Sequence, residues 1–350
     1  MNRYKYVHIQ PPYGKIAQNA LIFLLLFIII SETVSRTGIL KPRLSTFGIG
    51  TSDYTFEVQL DRIKTRIEKE GYVDCIFLGS SRVLDDINPD TVGKMYLETA
   101  GQFIRCQNFG ITGLGITGAA KIANILTRLY RPRLIVVGTQ FLDIQFQDVD
   151  NRILNDPWVR YSTGEFNFDG WLIDHSLAFR YYMDEIRYLS IGDNKANQDE
   201  GIPDQILQNG YLPLGLSTDP LRNLPWELHS KYEISVDSRE AVKELLALRK
   251  EDVQILFIEM PIRYDRYKSS VYNFNDEHIF KKETTQLLSK SSSAIWFTQD
   301  LNLVPINDWH ESEHMNSTGA EIFSAWIGNQ LGTAVEKGTL VIPARSIVNQ

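Results

Sequence analysis

Three short stretches hold side chains that can do acyl chemistry. Gly79-Ser80-Ser81-Arg82 places two hydroxyls at the end of an apolar run. Asn108-Phe109-Gly110-Ile111-Thr112-Gly113 ends a second run in glycines, which let backbone approach a ligand closely. Near the C-terminus, Asp308-Trp309-His310-Glu311-Ser312-Glu313-His314-Met315-Asn316 sets a carboxylate three residues before a histidine. A serine hydroxyl is a weak nucleophile until a base removes its proton. His314 can be that base and Glu311 can orient its imidazole. The N–H groups of Ser81 and of a glycine can hold an oxyanion. His310 competes with His314 for the base, and Asp308 with Glu311 for the acid. Thr318 and Glu321 have capping-box spacing, which starts a helix there and leaves His314 in the loop before it.

These stretches need a scaffold that brings loop ends together, and the apolar pattern supplies one. Short strands are expected at Tyr72–Leu78, Ile104–Phe109, Leu134–Val137 and Val253–Met260, with a weaker one at Ala294–Thr298. Helical patterns lie at 116–130, 236–249 and 275–290, and a last helix begins near Thr318. A charged helix runs from Asp61 to Glu70. Strands alternating with helices predict an α/β fold: a three-layer sandwich around a parallel sheet of about five strands. Continuous apolar runs fit strands covered on both faces. Ligands of such sheets bind at the carboxyl ends of the strands, where the serine and glycine stretches fall. Residues 140–235 interrupt the rhythm with many aromatics, among them Trp158, Tyr161, Phe166, Tyr211 and Trp226, and read as an insertion beside the sheet. The polar stretch 192–205 reads as a mobile loop.

Residues 16–34 are predicted to span a membrane, centred on the uninterrupted apolar run 20–30. Arg3, Lys5 and Lys15 precede the run without an acid, as in a secretory signal. Ser31-Glu32-Thr33 is a poor cleavage site, which favours an uncleaved anchor. Arg36, Lys41 and Arg43 on the far side bring the positive-inside count close to a tie. The domain boundaries expected are a basic tail 1–15, the anchor 16–34, a connector and helix 35–70, a catalytic domain 71–335 and a tail 336–350. The 350 residues carry 36 basic and 43 acidic side chains, a net charge of −7 that argues against a nucleic-acid partner. Two cysteines, Cys75 and Cys106, exclude a disulfide scaffold or a cysteine-based zinc site, and read as buried thiols on neighbouring strands. No residue cluster suggests a metal.

Gly79-Ser80-Ser81, Asn108-x-Gly110-x-x-Gly113 and Glu311-x-x-His314-x-Asn316-x-x-Gly319 resemble the first, second and fifth blocks of the SGNH (GDSL-like) hydrolases. The closer likeness is to the membrane-anchored branch that modifies envelope polymers, the DltD-like and alginate O-acetylation proteins. The resemblance covers about 72–139 and 253–330. It implies Ser81 as nucleophile, His314 as base, Glu311 as acid, and Ser81 and Gly113 as oxyanion donors. The family's third block normally reads Gly-x-Asn-Asp, its Asn an oxyanion donor. Here Gly138-Thr139-Gln140-Phe141 offers only Gln140. The triad acid is usually Asp rather than Glu. The implied function is an acyl esterase or O-acyltransferase acting on an envelope glycopolymer or its acyl carrier, without a cofactor. Its expected partners are the membrane, an acylated polymer and an acyl-donor membrane protein. The expected location is the cell membrane, single-pass, with the C-terminal domain on the periplasmic or extracellular side.

Rival readings remain at this stage. The altered third block favours a non-catalytic scaffold that keeps the fold. Gly113-x-Gly115-x-x-Gly118 matches a dinucleotide fingerprint, but the following strand ends without the acid that would bind a ribose. Arg82 reads either as structural or as a contact for an anionic polymer. The aromatics of 140–235 read as core or as a sugar-stacking platform.

Overall fold

The computed structural model describes residues 13–37, 39, 49, 51, 53–140, 143–144, 153–191, 205–217, 234–251, 253–263, 265, 274–289, 295–298 and 302–343. Arg3, Lys5, Lys41, Arg43, Phe141, Trp226 and the loop expected over 192–205, save its last residue, lie outside the described residues.

The elements run in chain order as α1 (Tyr13–Arg36), α2 (Tyr54–Glu70), β1 (Cys75–Gly79), α3 (Ser81–Asp86), α4 (Pro89–Ala100), β2 (Cys106–Gly110), α5 (Ile116–Tyr130) and β3 (Leu134–Thr139). They continue as α6 (Pro157–Ser162), α7 (Phe168–His175), α8 (Leu177–Ile191), α9 (Val236–Ala247), β4 (Gln254–Glu259), α10 (Phe274–Ser289), β5 (Ile295–Phe297) and α11 (Ser317–Glu336). The five strands form one parallel sheet in the order β2-β1-β3-β4-β5. The fold is therefore the expected α/β sheet flanked by helices. Chain order steps outward from β1 in both directions, so the carboxyl end of β1 lies at the point where strand order reverses.

Successive side chains of a strand point to opposite faces, and the core divides accordingly. Ile76 and Leu78 of β1 join Phe56, Ile122, Val242 and Trp158 on one side. Cys75 and Phe77 join Val92, Tyr96, Phe323 and Ile327 on the other. Each large apolar side chain removed from water contributes about 1.5–3 kcal/mol, so both layers are needed to hold the central strands. Cys75 and Cys106 pair in register across β1 and β2 as free, buried thiols. Burial pushes the Cys75 thiol well above its ordinary range, so it is not a nucleophile at neutral pH.

Three elements differ from the sequence expectation. First, α2 begins at Tyr54 rather than Asp61. Asp53 caps it by accepting from the Phe56 N–H at 2.9 Å. Its first turns hide polar side chains that bond backbone outside the helix. Gln59 Nε2 donates to the carbonyls of Gly110 (3.1 Å) and Gly210 (2.9 Å), and Glu57 accepts from the Thr51 N–H at 2.9 Å. Second, α4 was not anticipated, although Asn88-Pro89 carries a start signal: Asn88 accepts from the Asp90 N–H at 3.1 Å and Pro89 opens the first turn. Third, the box at Thr318 and Glu321 is not used. Asn316 caps α11 instead, accepting from the N–H groups of Thr318 (2.9 Å) and Gly319 (3.1 Å). Glu321 reaches out of its helix to Asn88 Nδ2 at 2.6 Å, which ties α11 to the start of α4.

The apolar residues of α1 are exposed along its length, and it is long and apolar enough to cross a membrane.

Candidate active site

Ser81 is the first residue of α3, directly after β1. That short helix lies across the carboxyl ends of three strands. A Cβ on Gly79 would meet the Gly138 carbonyl and Val83 Cγ2, both at 2.5 Å. A Cβ on Gly110 would collide with the Leu84 backbone, and one on Gly138 with Val83. Glycine at these strand ends is therefore a close-packing requirement that seats α3. Asn108 fixes the same helix from β2. Its Oδ1 accepts from the Gly110 N–H at 2.8 Å, and its Nδ2 donates to the carbonyls of Val83 and Ile87, the latter at 2.8 Å.

The histidine comes from a tight loop before α11. Trp309 and Met315 form an antiparallel bridge, and the His310 N–H donates to the His314 carbonyl at 2.9 Å. Asp86 at the end of α3 accepts from the Met315 N–H at 2.8 Å, so the helix of Ser81 and the loop of His314 are bonded together.

The result is a continuous chain of polar side chains. Ser81 Oγ lies 2.8 Å from His314 Nε2, and His314 Nδ1 bonds Glu311 Oε1. Because Nδ1 faces a carboxylate it carries the proton, and Nε2 of the neutral ring is left to accept from the serine. Glu311 also accepts from the Glu313 N–H at 2.8 Å and from Ser312 Oγ at 3.2 Å. Burial alone would raise the Glu311 carboxyl, but these bonds and the histidine hold it below the usual carboxylate range. Ser81 and His314 are half-buried, whereas Glu311, Asp85 and Asp86 are buried beneath them. A substrate can thus reach the serine and the imidazole but not the acids.

Sequence reasoning missed two carboxylates here. Asp85 lies one turn after Ser81, on the same face of α3, and its Oδ2 is 3.8 Å from His314 Nε2. Its Oδ1 is buried without a hydrogen-bond partner among the described residues. Burial pushes Asp85 up to about 7 and Asp86 well above the usual range. Burial would depress His314, but the Glu311 bond and the nearby Asp85 and Asp86 outweigh it, raising the imidazole to about 9. The signal available in sequence was the i, i+4 spacing of Ser81 and Asp85.

Arg82 is buried under α3 with its guanidinium between Asp143 (3.1 Å) and Glu313. Its structural reading holds in this state, since those carboxylates occupy it. Glu313 lies beside the base, so Arg82 also braces the histidine loop.

The remaining candidates fall as follows. Gly113 sits in the exposed β2–α5 loop with φ of 73°, a left-handed position that suits glycine. Gln140 is buried just after β3, and its N–H donates to Asp143 Oδ2 at 3.0 Å. Asp308 does not orient the base. It lies in a single 3-10 turn whose carbonyl accepts from the Asn316 N–H at 3.0 Å, and Glu311 takes the place at Nδ1. His310 faces away and bonds the Gly215 carbonyl at 2.9 Å. Trp158 and Tyr211 are core residues, whereas Phe166, Phe168, Trp171 and Tyr182 are exposed.

No protein-family model and no curated protein matches the chain. Among solved structures, an acetyl xylan esterase from the rumen bacterium Butyrivibrio proteoclasticus superposes with a TM-score of 0.33 and 9% identity. The match covers 77% of this chain and 66% of that one, so the chain spans a little under two thirds of the esterase. A superposition that loose carries no argument about function. The functional reading rests on the side-chain geometry.

Proposed function

We propose that the chain is a serine-dependent acyl esterase or O-acyltransferase, held at a membrane by α1 and acting on an envelope glycopolymer or its acyl carrier. The observation that carries the reading is the aligned Ser81–His314–Glu311 chain at the carboxyl edge of the sheet. Its parts have the roles of nucleophile, base and orienting acid.

In this reading acyl transfer runs through Ser81. His314 Nε2 takes the Ser81 proton as Oγ bonds to the acyl carbonyl carbon. The carbonyl oxygen becomes an oxyanion, for which the N–H groups of Ser81 and Gly113 are the proposed donors, with Gln140 beside them. The tetrahedral adduct collapses, the leaving oxygen departs with the proton from His314, and Ser81 carries the acyl group. Water or a sugar hydroxyl then gives its proton to His314 as it bonds to the acyl carbon, and this second adduct collapses as Ser81 Oγ leaves with the proton that His314 returns. During both steps the imidazolium lies between Glu311 at Nδ1 and Asp85 near Nε2. Polymer and acyl donor as substrates rest on the resemblance of the three blocks and on the anchor.

The test uses the full chain in detergent with p-nitrophenyl acetate and a set of oligosaccharides. The reading predicts nitrophenol release that Ser81→Ala and His314→Ala both abolish. It also predicts an acetylated sugar by mass spectrometry if the acceptor is a sugar hydroxyl. Release that survives Ser81→Ala would sink the mechanism. Absence of release and of acyl-enzyme from a well-folded parent would favour a scaffold with a retained fold.

A further inference from the structure

The end of α1 is clamped to the insertion. Glu32 sits one turn before the end of α1, and its carboxylate caps the N-terminus of α8. It accepts from Ser176 Oγ (2.9 Å) and from the N–H groups of Leu177 and Ala178 (both 3.2 Å). A carboxylate at a helix N-terminus satisfies free donors and meets the positive end of the helix dipole. Arg36, a turn later on α1, bonds the same carboxylate at 2.8 Å.

The residue before this cap begins a row of rings. His175 stacks on Trp171 (centroids 5.1 Å apart), Trp171 stacks on Phe168 (6.0 Å), and Tyr161 meets His175 edge-on (6.0 Å). Phe168, Trp171 and His175 are spaced i, i+3 and i+7, so they share one face of α7. Ile173 on the opposite face is buried in the core. The ring face is the outward one: Phe168 is 60% exposed and Trp171 38%, and Phe166 just before α7 and Tyr182 on the neighbouring α8 are exposed as well. Seven residues of helix rise about 10 Å, so the whole row lies within about that distance of the Glu32 clamp.

We infer that the outward aromatic face of α7 and α8 rests in the headgroup region of the bilayer that α1 enters, seating the domain on the membrane at a fixed angle. This rests on reading α1 as a membrane anchor. The lipid surface is the occupant because the face is continuous with the end of α1, whose own apolar residues are exposed throughout. Tyr and Trp, with an apolar body and a polar tip, concentrate at that depth. An interfacial helix buries its apolar face by about 5–10 Å, a depth that a single layer of outward rings can reach. A tether alone would let the domain tumble. A clamped anchor and an aromatic footing would hold Ser81 at one height above the lipid.

Spin-label accessibility on the full chain, reconstituted in phosphatidylcholine–phosphatidylglycerol vesicles, tests this. The native Cys75 and Cys106 are buried and do not compete for label. Labels go one at a time on Phe168→Cys, Tyr182→Cys, Leu26→Cys in α1, and Leu97→Cys. Leu97 is an exposed site on α4, which packs on the opposite face of the sheet from α7 and α8. The expected result is an oxygen-to-nickel-chelate collision ratio several-fold higher at positions 168 and 182 than at 97, with 26 higher still. Water-like labels at 168 and 182 beside a lipid-like 26 would overturn the footing and leave the anchor standing. A water-like 26 would remove the anchor and the footing with it. Labels at 168 and 182 shielded from both reagents would mean that protein covers the face, a partner or a second copy, and would overturn the lipid assignment.

Discussion

Removing the charge of Asp85 should move the pH dependence of Ser81 acylation to lower pH. His314 must be neutral to take the serine proton, and its imidazole is raised to about 9. Asp85 Oδ2 faces the reactive nitrogen at 3.8 Å, while Glu311 faces Nδ1 and Asp86 lies below. Unit charges at that separation interact by about 4 kcal/mol at an effective dielectric of about 20, and by about 1 kcal/mol in water. One pH unit is about 1.4 kcal/mol, so Asp85→Asn should lower the histidine's titration by about one to three pH units. The sign is fixed, because losing a negative charge disfavours the imidazolium. At pH 8 the neutral fraction then rises about fivefold to tenfold, and acylation with it, while the weaker base lowers the plateau at higher pH. The assay is the second-order rate of fluorophosphonate reaction with the full chain from about pH 5 to pH 10. An acid limb that stays in place, or moves to higher pH, would refute the placement of Asp85 beside the working base. Stability supplies a cross-check. Burial raises Asp85 to about 7, so its ionisation opposes folding in full above that pH and not at all below its unfolded value near 4. The Asn variant should therefore gain Tm at pH 8 and not at pH 3.5.

Glu311→Gln keeps the shape but removes the anion that fixes the imidazole's tautomer. Acylation should fall by about a hundredfold or more while fluorophosphonate saturation is unchanged, since loss of the orienting acid in a related constellation costs about four orders of magnitude. Gly110→Ala puts a Cβ 2.5 Å from the Leu84 Cα. Displacing α3 should cost at least about 1–3 kcal/mol in chemical denaturation and should lower labelling of Ser81 in the fraction that stays folded. Arg82→Met leaves the buried Asp143 and Glu313 without their cation. The expected loss is about 3–5 kcal/mol, read as a lower Tm, with a smaller loss at acid pH where the carboxylates protonate.

The sheet was legible because its strands are buried on both faces. Fully covered strands read as unbroken apolar runs, and Leu78-Gly79 and Val137-Gly138 end where α3 crosses them. Ser81 could be singled out because its block falls at such an end, and His314 because its block lies just before a recognisable helix start. The early turns of α2 were hidden by their own composition: Tyr54, Thr55, Phe56 and Val58 favour strands, the buried Glu57 bonds backbone just ahead of the helix, and the buried Gln59 finds partners distant in sequence. The cap of α11 was misplaced by two residues because a box at Thr318 satisfies local rules, while Asn316 is fixed by the loop that holds His314. Asp86, Glu313 and Asp143 could not be placed from sequence at all, and Asp85 only as far as its i, i+4 spacing from Ser81. Their roles depend on α3, the histidine loop and the segment after β3 meeting over the sheet edge, which is a tertiary event.

The proposed mechanism stands on activation of Ser81 by His314. Phosphonylation of the full chain by a fluorophosphonate, with the modified residue located by peptide mass spectrometry, reads that activation. The expected result is a single adduct on Ser81 that His314→Ala abolishes without loss of Tm. An adduct on Ser80, or labelling of Ser81 that persists in His314→Ala, would contradict it.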